Sequence, residues 1–254
     1  HYGGLACRMD AILAIAREHG LKVVEDAAHA LPTTWQGTLV GQLESDVTVF
    51  SFYANKTITT GEGGMAVTRH ATLAERMRIM RLHGLNRDAF DRFSSEKPAW
   101  YYEVVAPGFK YNMTDIAAAL GVAQLARLPQ FVQRRHTLAA RYQALLRKLP
   151  LVLPANAPDG DVHAWHLYVI RLSEDARIGR DEVIQALSDR GIGTSVHYVP
   201  LHRHPYWRDR YRLTPAMYPQ ADAAYLSMIS LPLFTLMSDA DQDRVIAALH
   251  EVLG

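Results

Sequence analysis

Apolar residues recur at helical spacing at Ile12, Leu13, Ile15 and Ala16, with Asp10 placed as a cap and Gly20 as a stop, which predicts a helix over residues 10–19. Residues 21–25, 47–51 and 65–68 are short apolar runs that read as buried strands of a mainly parallel sheet. Residues 73–83 read as a second helix. Residues 84–111, rich in aromatics, glycine, proline and charge, form a long loop of the kind that usually carries function. A helix follows from Thr114, Asp115 and Ile116 to Leu125, and Pro129 is expected to end it. A further helix over 130–148 places Phe131, Leu138, Tyr142 and Leu145 on one face.

The stretch 151–160, with Pro154, Pro158 and Gly160, is the expected domain boundary. Beyond it the pattern predicts a strand over 165–172, a helix over 180–189, a strand over 193–198 and a closing amphipathic helix over 238–253 capped by Ser238. The fold class is therefore α/β, with a large domain over 1–150 and a small α/β domain over 151–254. No internal repeat or low-complexity tract interrupts it.

Composition narrows the function classes. At 254 residues and 49% hydrophobic, the chain is long enough to bury real cores. Its 27 basic and 26 acidic residues leave a formal net charge of +1, so no nucleic-acid or membrane partner is expected from field alone. No apolar run reaches the roughly 20 residues that a bilayer-spanning helix requires, and no secretory leader pattern opens the chain. Cys7, the single cysteine, cannot form an internal disulfide, which fits the cytoplasm. The chain opens on His1 rather than Met and enters a helix at once, which reads as a piece of a longer protein.

Two short segments carry candidate chemistry. In the run from Phe50 to Gly64, Lys56 lies five residues past Ser51 at a strand end, in a loop closed by Gly61, Gly63 and Gly64. A lysine taken alone is usually a solvated surface residue. Here Phe50, Phe52 and Tyr53 supply apolar surroundings that would lower its pKa and favour covalent chemistry at the amine. In the run Val23-Val24-Glu25-Asp26-Ala27-Ala28-His29, Asp26 ends a buried strand where open α/β sheets bind ligands. A pyridine-ring cofactor needs such a carboxylate to keep its ring nitrogen protonated. The alternative for Asp26 is a helix cap or an ion-pair partner, and His29 alone reads as a packed histidine. No Gly-x-Gly-x-x-Gly turn follows a strand, which argues against a dinucleotide enzyme.

Together these runs resemble the DegT and StrS family of nucleotide-sugar aminotransferases, which have the aspartate-aminotransferase-like fold of the fold type I enzymes dependent on pyridoxal 5'-phosphate (PLP). The resemblance extends to His1-Tyr2-Gly3-Gly4, to Gly108 through Ile116 with Gly121 and Gln124, to His163 through Tyr168, to Gly193 through His202, and to Leu231-Pro232-Leu233. It implies that Lys56 binds the cofactor covalently and shuttles the proton, that Asp26 partners the pyridinium nitrogen, and that His29 lies beside the ring. Ser51 corresponds to a phosphate-binding hydroxyl. Asn112 corresponds to a residue that reaches the cofactor of the other subunit, so a homodimer with shared sites is expected. His197 and Tyr198 lie where the family approaches the sugar.

The resemblance further implies amino transfer from an amino acid, expected to be L-glutamate, to a keto-sugar nucleotide in polysaccharide or glycoconjugate biosynthesis, with no metal. A sugar dehydratase of the same fold, with histidine in place of the lysine, is argued against by Lys56. A non-catalytic or degenerate form is argued against by the retention of Lys56, Asp26 and Ser51. The family's upstream phosphate-binding turn and ring-stacking aromatic have no counterpart in this sequence, so the cofactor pocket of this piece is expected to lack one side.

Overall fold

The computed structural model describes residues 1–86 and 102–254. Trp100 and Tyr101, and with them much of the expected functional loop, lie outside the described residues. The chain forms two compact units: His1–Tyr2 with Ala6–Leu128, and Gly3–Leu5 with Pro129–Gly254. This division falls at Leu128, ahead of the position near 150 expected from the proline-rich stretch.

The first unit begins with α1 (Met9–Glu18), which buries Met9 and Ala16, two turns apart on one stripe. Arg8 occupies the cap position and Asp10 lies inside the first turn, where its charge favours the positive end of the helix. Strand β1 (Val24–Asp26) is followed by a hairpin of β2 (Thr34–Trp35) and β3 (Thr38–Leu39), which the sequence pattern does not announce. Its two central residues, Gln36 and Gly37, both have positive φ (52° and 76°), the geometry of a tight hairpin turn.

Strand β4 (Val47–Ser51) lies between β1 and β5 (Gly64–Val67). It is parallel to β1 and antiparallel to β5, so the expected mainly parallel sheet is mixed among the described strands. The reason is the connection. Residues 52–63 form no helix, and without a crossover the chain can only return antiparallel. Phe50 packs with Ala27, Ala30 and Val40 in the core of this unit. Helix α2 (Ala71–Met80) follows the sheet.

Pro129 does not end a helix. It lies inside α3 (Asp115–Leu146), a single element where two were expected. The part beyond Pro129 buries Leu138, Tyr142 and Leu146, which recur every four residues. Leu145, expected on that face, is exposed.

In the second unit, β6 (Leu151–Val152), β7 (Tyr168–Leu172) and β8 (Met228–Leu231) form an antiparallel sheet. The expected strand over 193–198 is not one. Only Ser195 bridges, to Ser230, and β8 takes the place in the sheet. Helices α4 (Arg180–Asp189), α5 (Pro205–Tyr211), α6 (Pro219–Ser227) and α7 (Asp239–Leu253) complete the unit. The hydroxyl of Ser238 accepts the N–H of Asp241 at 3.0 Å, the cap expected from the sequence. Tyr168, Ile170 and Ile229 from the sheet pack with Val183, Leu187 and Leu249 from the helices. The buried guanidinium of Arg135 donates to the carbonyls of Trp165 and Leu233, at 2.9 and 3.3 Å. No helix among the described residues is long and apolar enough to cross a membrane.

Candidate active site

The parallel pairing of β1 and β4 brings the carboxyl ends of both strands to one edge of the sheet, with Asp26 in register with Val49. Asp26 is the last residue of β1. Its Oδ1 accepts the N–H of Ala28 at 3.0 Å, and the N–H of Ala27 continues the ladder to the carbonyl of Val49 at 2.8 Å. This turn delivers His29, whose ring lies 6.1 Å from that of Tyr2, centroid to centroid.

The chain leaving β4 at Ser51 makes the loop that holds Lys56. The N–H of Lys56 closes a turn onto the carbonyl of Tyr53 at 3.0 Å, and the Ser51 hydroxyl accepts the N–H of Tyr53 at 3.3 Å. The far limb is drawn in where the N–H and hydroxyl of neighbouring threonines reach one carbonyl: Thr60 N–H and Thr59 Oγ1 both donate to Phe52 O, at 2.9 and 3.1 Å. Thr57, Ile58 and Thr60 are buried, and Lys56 between them and the exposed Tyr53 is half-buried.

That burial is the largest influence on the Lys56 amine and holds its pKa below the usual lysine value, while the negative charge of Asp26 acts in the opposite direction. The two groups are therefore close enough to feel each other. Phe50 and Phe52, expected around the lysine, instead pack on the core of the unit.

Gly63 shows how tightly the loop closes. At φ 154° it leaves no room for a Cβ, which would collide with Oγ1 of Thr60 and lie 2.9 Å from Cε of Met113. Met113 thus packs against the same loop, and its neighbour Asn112 has a buried Oδ1 with no hydrogen-bond partner among the described residues. Such an atom is costly unless something meets it.

Two supports of this site have no role in the sequence reading. Oε1 of Gln124 on α3 accepts the N–H of Thr59 at 2.9 Å. A Cβ on Gly121, one turn earlier, would meet Thr60 Cγ2 at 3.1 Å, so the Gly121/Gln124 face of α3 presses on the loop. That three-residue spacing was the available signal. The second is Glu25, which alternates with Asp26 to the opposite face of β1 and is buried there. It accepts hydrogen bonds from Ser45 and from Thr48, the latter at 2.9 Å, and pairs with His1 Nε2 at 2.7 Å.

His197 and Tyr198 belong to the second unit, on the stretch before α5. Nδ1 of His197 is hydrogen-bonded to Oγ of Ser230 at 2.7 Å, and the Tyr198 ring meets that of His197 edge-on at 4.8 Å. Tyr198 is 55% exposed.

Known proteins resemble the chain in sequence and in fold. The chain is 46% identical to the spore coat polysaccharide biosynthesis protein SpsC of Bacillus subtilis over all of its own length and 65% of that relative's. The PMP-form of the putative sugar aminotransferase Spr1654 from Streptococcus pneumoniae is 30% identical, with a TM-score of 0.90 over 99% of this chain and 67% of that one; its PLP-form gives 0.87. Helicobacter pylori PseC, an aminotransferase involved in the biosynthesis of pseudoaminic acid, is 26% identical with a TM-score of 0.89, covering 99% of this chain and 65% of that one. The chain thus spans slightly under two thirds of SpsC. The mixed α/β fold is that of the fold type I transferases. The match of residues 1–250 to the DegT/DnrJ/EryC1/StrS aminotransferase family shows that the chain belongs to that family.

Proposed function

We propose that the protein is a PLP-dependent aminotransferase that carries an amino group from an amino-acid donor, L-glutamate in this reading, to a keto-sugar nucleotide. One observation carries it: a half-buried lysine with a depressed pKa and an aspartate acting on it, at the carboxyl ends of adjacent parallel strands. The side chains fit the cofactor. Lys56 offers an amine to an aldehyde, Asp26 a carboxylate to a pyridinium, Ser51 a hydroxyl to a phosphate, and His29 follows Asp26 on the same turn.

When bound, PLP supplies the electron sink into which the electrons of the donor's Cα–H bond pass. The chain's own residues do the rest. Nζ of Lys56, uncharged more readily because it is desolvated, takes the proton from Cα of the donor and returns one in the reverse sense on the sugar. Asp26 keeps the ring nitrogen protonated. The narrow loop around Lys56 limits where the amine can reach.

A homodimer with shared sites is part of the reading. Ile116 and Val122 on α3 are 86% and 70% exposed, and Leu120 and Leu125 on the same helix are exposed as well, apolar surface for a second copy to cover. Asn112, three residues ahead of that helix and with an unmet Oδ1, is assigned to the second copy's cofactor. In the second unit, His197 and Tyr198 are assigned to the sugar.

The test is spectroscopic. The PLP-loaded enzyme should lose its visible absorbance on addition of L-glutamate and recover it on addition of a keto-sugar nucleotide. Borohydride reduction followed by peptide mapping should place the cofactor on Lys56. A label on Lys22 or Lys110 instead would overturn the assignment.

A further inference from the structure

Ser230 has no part in the reading above, yet it holds His197, one of the two residues assigned to the sugar, on a stretch outside any regular element. His197 sits on a stretch that joins the sheet only through Ser195. Ser230 makes that junction. Its N–H donates to Ser195 O at 2.7 Å and its carbonyl accepts the N–H of Ser195 at 3.2 Å. The same residue then offers its hydroxyl to Nδ1 of His197 at 2.7 Å.

Ser230 is a firm anchor. It is 5% exposed and stands between Ile229 and Leu231 in the core of the second unit. A histidine ring has a broad torsional preference about its outer bond, and the hydrogen bond to the fixed Ser230 hydroxyl narrows the orientations open to it. Beyond Tyr198 the chain leaves for α5 and α6, an excursion closed separately where Asp222 accepts from Arg203, at 2.6 and 2.9 Å, and pairs with His202 at 3.0 Å. That closure secures the excursion through Arg203 and His202. On the His197 ring itself, β8 supplies the Ser230 hydroxyl at Nδ1, beside the edge-on ring of Tyr198.

We propose that Ser230 is a positioning residue for recognition of the keto-sugar nucleotide: its hydroxyl, fixed on β8, sets the orientation of the His197 ring that meets the sugar. The role rests on the aminotransferase reading and on His197 as its sugar-side residue. Ser230 acts through His197 and has no part in the amino-donor half of the reaction.

The experiment uses the PLP-loaded enzyme and the variants Ser230→Ala, His197→Ala and the double variant, with L-glutamate and a keto-sugar nucleotide as substrates. Each half-reaction is followed separately by the cofactor's absorbance, and thermal unfolding is recorded beside it. Ser230→Ala should raise KM for the sugar about 3- to 10-fold, the size of one lost hydrogen bond, while KM for glutamate stays unchanged. It should add nothing in the His197→Ala background, because the two residues act as a unit. Ser230→Thr, which keeps the hydroxyl, should restore the sugar KM. An unchanged sugar KM in Ser230→Ala, or equal damage to both half-reactions, or additivity with His197→Ala, overturns the role alone. A parent enzyme that is bleached by glutamate but aminates no keto-sugar nucleotide overturns the functional reading and the role with it.

Discussion

Oε1 of Gln124 accepts the backbone N–H of Thr59 at 2.9 Å, joining α3 to the loop that holds Lys56 across 65 residues of sequence. The amide of Thr59 is part-buried, so removing its acceptor leaves a donor without its protein partner. Gln124→Leu should destabilise the protein by about 1–3 kcal/mol in urea unfolding and weaken PLP binding. Gln124→Glu keeps an acceptor oxygen and should retain most of both. Equal PLP affinity in the parent and Gln124→Leu would show that the loop holds its shape without α3.

The glycines of the same loop differ in what they tolerate. Gly61 has φ 80° with open space around its α-carbon, whereas Gly63 at φ 154° abuts Thr60 and Met113. Gly61→Ala should cost only the backbone strain, about 1–2 kcal/mol. Gly63→Ala must also displace Thr60 Oγ1, which donates to Glu62 O at 2.7 Å, and should cost more and lower cofactor affinity. Denaturation midpoints of the two variants, side by side, decide the order.

What was legible in the sequence was what is decided locally. The Ser238 cap needed only Asp241, three residues on. Elements decided by distant partners were misread. Residues 193–198 have strand-like side chains, but strand formation depends on pairing, and apart from the Ser195 bridge the pairing goes to β8, which starts directly after α6 with no turn residue between them. Pro129 reads as a stop because it removes an N–H from the helix. The lost donor belongs to the carbonyl of Leu125, on an exposed stretch where water can replace it, so the helix continues. The supporting roles of Gln124 and Glu25 are illegible locally for the same reason: their partners lie 65 and 20 to 24 residues away.

The closure at Asp222 predicts an acid-sensitive element. Hydrogen bonds from Arg203 first, and from His202, hold the Asp222 carboxyl at about 2, below its ordinary 3.8. A carboxyl depressed on folding binds fewer protons in the folded than in the unfolded state, so its stabilisation is full above 3.8 and is lost as pH falls towards about 2. Asp222→Asn should therefore be less stable than the parent at neutral pH, and the difference should shrink through that acid window. Urea unfolding of both proteins across the window measures it, and a constant difference would assign the effect to packing.

Asp26 offers a way to separate the electrostatics of the lysine from the chemistry of the cofactor. In the cofactor-free protein, burial lowers the Lys56 pKa and the Asp26 charge partly restores it. Asp26→Asn removes the restoring charge, so the Lys56 pKa should fall further and the free amine should react faster with an amine-directed reagent near neutral pH. The loaded enzyme should respond in the opposite direction. Without the carboxylate the pyridinium loses its partner, and amino transfer should slow by about 10²–10³-fold, the loss typical when one preorganised electrostatic contact is removed. A variant that gains amine reactivity and loses turnover therefore carries Asp26 in both roles. Slower amine labelling in the cofactor-free variant would mean that Asp26 acts on Lys56 through loop structure and not through its charge.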